Sequence, residues 1–408
     1  MFNAGLPCDD GEKVGIIERE EYIEFVDDVE DVDFDFDFWR LGRSPGRLRR
    51  FSDVLTLYKK KADKVQPVNQ PHEGGLKPGG SSDWRAKAIS KEQYQPGKYA
   101  GWLIPKFSGI KRGSRLTTER IKRFKVGSGA GLTAEEYDVF LEVLFNREAG
   151  IAFDFTEKGY FIDDVEPPPA IPTIPHTPWQ AKNFKVPKAL DAEVVKIIKD
   201  RIDCGALERS FGPYRNPWFL VPKKQTGKYR LINCAQKLNA VTMKDASLPP
   251  TVDEFSEEFA GYPLISLLDL FSGYDQCALA EESRDMTAFM TPFGLMRMAT
   301  LPQSYTNGVQ IFDRVIRKVL AEQIAQGRSR PFIDDVGLKP ASRSFYRKSD
   351  ENGEFEEALP GVRRFVMEAI ISLDQTLADI ERSGGTISRE KSEFLMDGIK
   401  MVAFTCGS

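Results

Sequence analysis

The stretch "RPFIDDVGLKP", Arg330 to Pro340, sets two aspartates side by side between apolar residues. Adjacent carboxylates repel, and burying them is unfavourable unless a cation or a hydrogen-bond network compensates their charge. Neighbouring side chains on a strand point to opposite faces, so Asp334 and Asp335 can share one site only beside a tight turn. "FIDDVGL" reads as such a strand, turn and strand. A further carboxylate is offered by Asp269, which closes the apolar run "LISLL" where an ordinary buried strand carries no charge. Taken singly, the DD pair fits a plain turn and Asp269 a strand cap. Taken together they suit a divalent cation, because Mg²⁺ is commonly held by one or two carboxylates plus substrate phosphates.

The elements that must position these residues follow from pattern. "NPWFLVPKKQTGKYRLIN" reads as two strands around a Gly-containing turn with lysines at its tip, and "TPFGLMRMATLP" as a second hairpin-like pair. "LTAEEYDVFLEVLF" predicts a helix capped by Thr133 and Glu136, with Tyr137, Phe140, Leu141, Leu144 and Phe145 on one apolar face. A second helix is expected from Ala189 to Cys204, with Val194, Val195, Ile198 and Ile202 inward and Gly205 as its stop. "YTNGVQIFDRVIRKVLAEQIA" is helical, and "VRRFVMEAIISLDQTLADIERSGG" is a long amphipathic helix ended by Gly384 and Gly385. "DVEPPPAIPTIPHTPW" is proline-rich and extended, "SRSFYRKSDENGEFEEALPG" is a polar insertion, and "TISREKSEFL" and "IKMVAFTC" are short strands. Helices and hairpins mixed in this order predict an α+β domain with helices on one face of an antiparallel sheet.

Bulk numbers bound the rest. A chain of 408 residues exceeds one ordinary core, so at least two units are expected. It is 41% hydrophobic and 29% charged, with no apolar run of about 18 residues or more and no basic-then-apolar start. No membrane partner or secretion signal is expected. Five widely spaced cysteines suit reduced thiols inside a cell, and two histidines argue against a two-histidine zinc site or a histidine triad. With a net charge of -4, any nucleic-acid binding must rely on local basic tracks or bound cations. The first hundred residues alternate acidic, basic and Gly/Pro-rich stretches and are expected to be a largely disordered charged linker.

Five segments then carry a resemblance. "LDLFSGYDQ", "LPQSYTNGVQIF", "FIDDV" and "GGTISREKSEF" resemble successive palm motifs of a reverse transcriptase, and "NPWFLVPKKQTGKYRLINCAQKLNAVT" resembles its fingers. Their order and spacing are similar to those of Ty3/gypsy-type LTR retrotransposons in the form common in fungi. The likeness runs from about His176 to the C-terminus, with weaker similarity back to about Asp53. It implies a right-hand polymerase with fingers and palm at 176–408 and a small helical pre-polymerase segment at 101–175, with the thumb expected to be absent. It also implies two Mg²⁺ ions, with Mn²⁺ as a substitute, on Asp269, Asp334 and Asp335, with the Leu270 carbonyl as a further ligand. By the same resemblance Lys223 and Arg230 grip the triphosphate, Tyr274 blocks a ribose 2′-hydroxyl, Gln303 contacts nucleotide and template, and Lys391 protonates the pyrophosphate. The implied partners are dNTPs and a primed RNA or DNA template, met in the cytoplasm or nucleus.

The pattern also breaks. Ser304 stands where the family has Gly, so a Cβ and hydroxyl are expected to crowd the nucleotide at about 1–3 kcal/mol. Asn233 replaces the Asp of many relatives. No D-[ST]-G precedes the polymerase-like region, and no thumb, RNase H or integrase follows "MVAFTCGS". Two readings stand, an RNA-directed DNA polymerase fragment, or a decayed retroelement relic or nucleic-acid-binding module without turnover; a third, an RNA-templated RNA polymerase, is disfavoured by Tyr274.

Overall fold

The computed structural model describes residues 115–127, 131–223, 229–248, 251–346, 355–401 and 404–407. The charged stretch 1–100 lies outside them, as do the tip of the first hairpin (224–228) and the middle of the polar insertion (347–354).

Along the chain, β1 (Lys125–Val126) and β2 (Ile151–Ala152) precede β3 (Leu207–Arg209) and the hairpin of β4 (Trp218–Pro222) and β5 (Tyr229–Asn233). Next come β6 (Ile265–Asp269), the hairpin β7 (Phe289–Thr291) and β8 (Gly294–Met298), and the hairpin β9 (Ser329–Phe332) and β10 (Asp335–Leu338). Then follow β11 (Glu357–Leu359), β12 (Val362–Arg363), β13 (Ile387–Ser388), β14 (Glu393–Met396), β15 (Gly398–Met401) and β16 (Phe404–Gly407). The longer helices are α1 (Ala134–Asn146), α2 (Asp191–Asp203), α3 (Gly308–Val319) and α4 (Arg364–Arg382).

The central sheet has the order β1-β14-β6-β10-β9. Its inner pairings are antiparallel, but β1 lies parallel to β14. The expected antiparallel sheet is therefore mixed at one edge. The reason is topological: a parallel neighbour needs a long crossover, and most of the polymerase-like region lies between these two strands. β13 and β2 repeat the arrangement, with Ile387 opposite Ile151.

Helix α1 begins as its sequence dictates, with Thr133 and Glu136 forming a reciprocal capping box. Of the expected apolar face, Phe140, Leu141, Leu144 and Phe145 are buried, joined by Val139 and Val143, but Tyr137 is 36% exposed. Glu136 takes the inward position instead, where it pairs with Arg363 at 2.7 Å. On α2, Val194 and Ile198 are buried, but Val195 points outward at 40% exposure. A helix turns about 100° per residue, so Val195 cannot share the line of Val194 and Ile198. Gly205 follows with φ +74°, a left-handed conformation that ends the helix. The expected helix over residues 305–325 divides at Leu320 into α3 and a short second piece, 321–325.

One apolar core joins upstream and downstream parts. Phe140 and Leu144 of α1 share it with Leu268 of β6, Val336 of β10, Ile370 of α4 and Phe394 of β14. Leu116, Ile151 and Val165 belong to the same core, so this upstream part packs as one body with the central sheet. Cys204, Cys234 and Cys277 are free thiols.

Candidate active site

Asp269 is the last residue of β6 and Asp335 the first of β10, and the two stand directly opposite in the antiparallel register. Residues so paired have Cβ atoms about 5 Å apart, and like charges there destabilise the sheet. Asp334 lies in the two-residue turn joining β9 to β10, because Phe332 pairs with Asp335. Ile333, the other turn residue, has φ +53°. A β-branched residue in this region is strained, and such strain concentrates at functional sites. The turn brings Asp334 back alongside β6, where its carbonyl accepts the Leu270 N–H at 2.9 Å. Gly337 two residues on lets β10 pass the Phe259 ring, which an added Cβ would meet at 2.3 Å.

The electrostatics match this crowding. Burial raises the Asp269 carboxyl from 3.8 to about 6, opposed by the Lys391 charge, reinforced by Asp334, and opposed again by the Lys391 hydrogen bond and Arg230. Burial, then the charges of Asp334 and Asp269, raise Asp335. Lys391 donates to Asp269 Oδ2 at 2.8 Å. Burial opposes its charge, but Asp269 and the neighbouring aspartates outweigh that and raise its pKa. The other oxygen, Asp269 Oδ1, is buried without a hydrogen-bond partner.

This donor set fits a divalent cation. It offers an orphaned carboxylate oxygen and acidic neighbours that disfavour one another's ionisation. Among the described residues no three His, Cys, Asp or Glu side chains close a metal cage of their own. Mg²⁺ sites are ordinarily completed by waters and substrate phosphates rather than by an all-protein cage.

The remaining sequence candidates are distributed around this corner. Arg230, on β5 opposite Val221, is exposed and near enough to lower the Asp269 pKa. Lys223 is exposed at the start of the hairpin tip, and Gln303 is exposed in the turn before α3. The Tyr274 ring is only 3% exposed and stacks on Phe312 with centroids 4.9 Å apart. It is set into the core beside the site rather than presented openly. Ser304 donates its hydroxyl to the Asn233 carbonyl of β5, and its own carbonyl accepts from Asn239 at 2.9 Å. The expected crowding group is therefore bonded to the base of the fingers hairpin.

Sequence reasoning missed several supports. Ser392, fully buried, accepts the Asp269 N–H at 3.1 Å. Gln276 donates to the carbonyls of Phe271 and Thr386, both at 2.8 Å, and accepts the Thr386 N–H. Asp275 is buried against Arg201 at 3.4 Å. The signal for the last two was polarity: "GYDQ" sets a charge and an amide in an apolar neighbourhood.

Comparison with solved structures identifies the architecture. The foamy viral protease-reverse transcriptase in complex with dsDNA aligns over 73% of this chain and 56% of its own, with TM-score 0.59 and 16% identity. The same viral protein in complex with an RNA/DNA hybrid aligns over 78% of this chain and 37% of its own, with TM-score 0.57 and 15% identity. The fold is thus that of a right-hand polymerase, fingers and palm.

Residues 221–406 match the family model described as reverse transcriptase (RNA-dependent DNA polymerase). The Pol polyprotein of transposon 297 from Drosophila melanogaster is 25% identical over 200 residues, 48% of this chain and 19% of that protein. That of transposon gypsy is 33% identical over 149 residues, 35% of this chain and 14% of that protein. The enzymatic polyprotein of Cauliflower mosaic virus (strain D/H) is 34% identical over 125 residues, 30% of this chain and 18% of that protein. The chain spans less than a fifth of each of these relatives. Residues 221–406 are thus similar to the reverse transcriptase domain of retrotransposon Pol polyproteins.

Proposed function

We propose that this chain is a template-directed DNA polymerase, RNA-directed in its native role, that adds dNTPs to a primer 3′-hydroxyl. The carrying observation is the facing pair Asp269 and Asp335 with Asp334 in the adjoining turn and one Asp269 oxygen left without a partner. The three aspartates, with the Leu270 carbonyl, would hold two Mg²⁺ ions, or Mn²⁺ in their stead. When bound, such ions lower the pKa of the primer hydroxyl and neutralise the triphosphate and departing pyrophosphate.

The chain's own side chains then supply position and charge. Arg230 and Lys223, both close to the tip of the fingers hairpin, bind the triphosphate oxygens, the arginine through its planar fork. Lys391 holds Asp269 as its counter-ion and supplies positive charge, and a proton, to the departing pyrophosphate. Tyr274 and its Phe312 stack form the wall against which the deoxyribose packs, so that a 2′-hydroxyl lacks room. Gln303 and the backbone at Ser304 border the incoming nucleotide and template. The wording "INCAQK" and the motif order favour a Ty3/gypsy-type element of the form common in fungi. Such an enzyme works inside the cell, in cytoplasm or nucleus, where primed templates and dNTPs meet.

A second reading, a nucleic-acid-binding relic without turnover, is favoured by Ser304 at the position of the family's glycine. Primer extension by the full chain on an oligo(dT)-primed RNA template separates the two. Mg²⁺-dependent extension that disappears in Asp334→Asn supports the polymerase. Template binding without extension supports the relic.

A further inference from the structure

Residues 158–162, upstream of the matched domain, cross the back of the candidate site. Gly159 donates its N–H to Thr386 Oγ1 at 2.9 Å, and Ile162 donates to the Ser383 carbonyl at 2.9 Å. Phe161 donates to the Gln276 carbonyl at 2.9 Å, and the Tyr160 hydroxyl donates to the Cys204 carbonyl. The approach is so close that side chains are excluded on both sides. A Cβ on Gly159 would lie 2.2 Å from the Gly384 carbonyl oxygen, and one on Gly384 would lie 2.2 Å from that of Tyr160. A Cβ on Gly385 would meet the Phe161 ring at 2.5 Å. The glycine pair of "GGT" is thus explained by this strap as well as by the end of α4.

Lys158 is the strap's polar anchor. It is 8% exposed, and its ammonium donates to the Asp275 carbonyl at 2.8 Å while lying 3.2 Å from the centroid of the Tyr160 ring. Asp275 is in the turn Gly273–Gln276, which carries Tyr274 and enters through Ser272 at φ +48°. Burial lowers the Lys158 pKa to about 8, so the ammonium is retained here at a cost that its contacts must offset.

We propose that Lys158 is a positioning residue for sugar selection: through the Asp275 carbonyl it fixes the turn that sets Tyr274 against the incoming nucleotide. The proposal rests on the polymerase reading of the site and extends that machinery upstream of residue 176. It makes the strap part of the enzyme rather than a linker.

The test is single-nucleotide incorporation by full-length Lys158→Met and Lys158→Arg, with dNTP and rNTP measured separately. Lys158→Met is expected to raise the dNTP KM by about ten-fold, the scale of one hydrogen bond to a charged group, and to narrow the dNTP preference. Its kcat and primer-template Kd should stay near those of the parent, and Lys158→Arg should restore much of the KM. Parental KM and sugar preference in a folded Lys158→Met overturn the proposal. Tyr274→Val is the control: if it leaves sugar preference unchanged, the gate reading fails instead. Hydrogen exchange at residues 272–277 serves where extension is too slow or a variant is too unstable to assay. Faster exchange there in Lys158→Met or Gly159→Ala, with α1 protection unchanged, supports the anchor, and unchanged exchange at the turn overturns it.

Discussion

Two parts of this molecule bury charge, and they do so in opposite ways. Beneath α1 and α4 the charges are paired: Arg147 meets Asp374 at 3.0 Å, with side chains 6% and 2% exposed, and Arg363 meets Glu136. At the meeting of β6 and β10 the charges are alike. Asp269 faces Asp335, and a 60%-exposed lysine compensates only one of the three aspartates directly. Charge that the fold pairs with an opposite charge serves the scaffold, even though one oxygen of the pair, Asp374 Oδ2, accepts no hydrogen bond. Charge that the fold crowds together and leaves short of partners anticipates something from outside. Removing a buried charge should therefore weaken the fold at the first place, and strengthen it while abolishing activity at the second.

The largest effect is expected on catalysis. Asp334→Asn should lower dNTP incorporation by on the order of 10³-fold, the scale of losing a preorganised charge-stabilising group, with no loss of thermal stability. A variant that keeps more than a tenth of parental incorporation would remove Asp334 from the machinery. Arg147→Met is the counterpart in the scaffold. It leaves Asp374 buried and unpaired, and breaking such a pair costs about 3–5 kcal/mol. Urea unfolding measures this, and a cost under about 1 kcal/mol would show that the pair is not the scaffold's anchor.

Asp269→Asn joins the two sides. The Asp269 pKa is higher in the folded chain than its ordinary value of 3.8, reaching about 6. The folded state therefore binds more protons than the unfolded state in that interval, and stability falls as pH rises from about 4 through about 6. Above that interval the full penalty, about 3 kcal/mol, is present. Without metal, the asparagine variant should lose this slope and gain stability at pH 7, less whatever Lys391 loses with its partner. Mg²⁺ should raise the parent's melting temperature at pH 7 and leave the variant nearly unmoved. A parent-minus-variant difference flat from pH 4 to 7 would contradict the assignment of strain to Asp269.

The comparison also shows what a sequence can carry. The like-charged corner is written locally: "FIDD" and "LLD" are short apolar runs interrupted by acid, and a turn between short strands can be read from a few neighbours. The paired corner is not. Arg147 and Asp374 lie 227 residues apart, and nothing near either names the other. Separations of 117, 123 and 268 residues likewise hid Lys158 from Asp275, Ser392 from Asp269, and Lys125 of β1 from Glu393 of β14. Tyr137 and Val195 failed for a smaller reason. Apolar spacing fixes that a helix has a buried face but not how far round it extends: Glu136, paired with Arg363, takes the inward place beside Tyr137, and the turn of about 100° per residue carries Val195 off the line of Val194 and Ile198.

Ser304 gives the smallest effect, and its direction discriminates. Spacing alone suggests that its added atoms crowd the nucleotide, so that glycine would improve incorporation. The hydroxyl instead donates to the Asn233 carbonyl, and the Ser304 carbonyl is held by Asn239, which also accepts the Thr306 N–H at 2.9 Å. The first bond joins the loop before α3 to the base of the hairpin that bears Arg230, and the Asn239 bonds tie the loop to the short helix Gln236–Val241. Glycine would remove the first of them and add backbone freedom to the loop. A net hydrogen bond contributes about 0.5–1.5 kcal/mol, and glycine's extra freedom costs a comparable amount. Ser304→Gly should thus lower stability by about 1 kcal/mol and lower dNTP incorporation by less than about ten-fold, since 1.4 kcal/mol corresponds to a factor of ten. A several-fold gain in incorporation would mean that crowding dominates and that the serine obstructs the site. A loss would mean that the serine has become a tie between fingers and palm, and that a chain departing from the reverse transcriptase pattern at this position has kept its geometry by another bond.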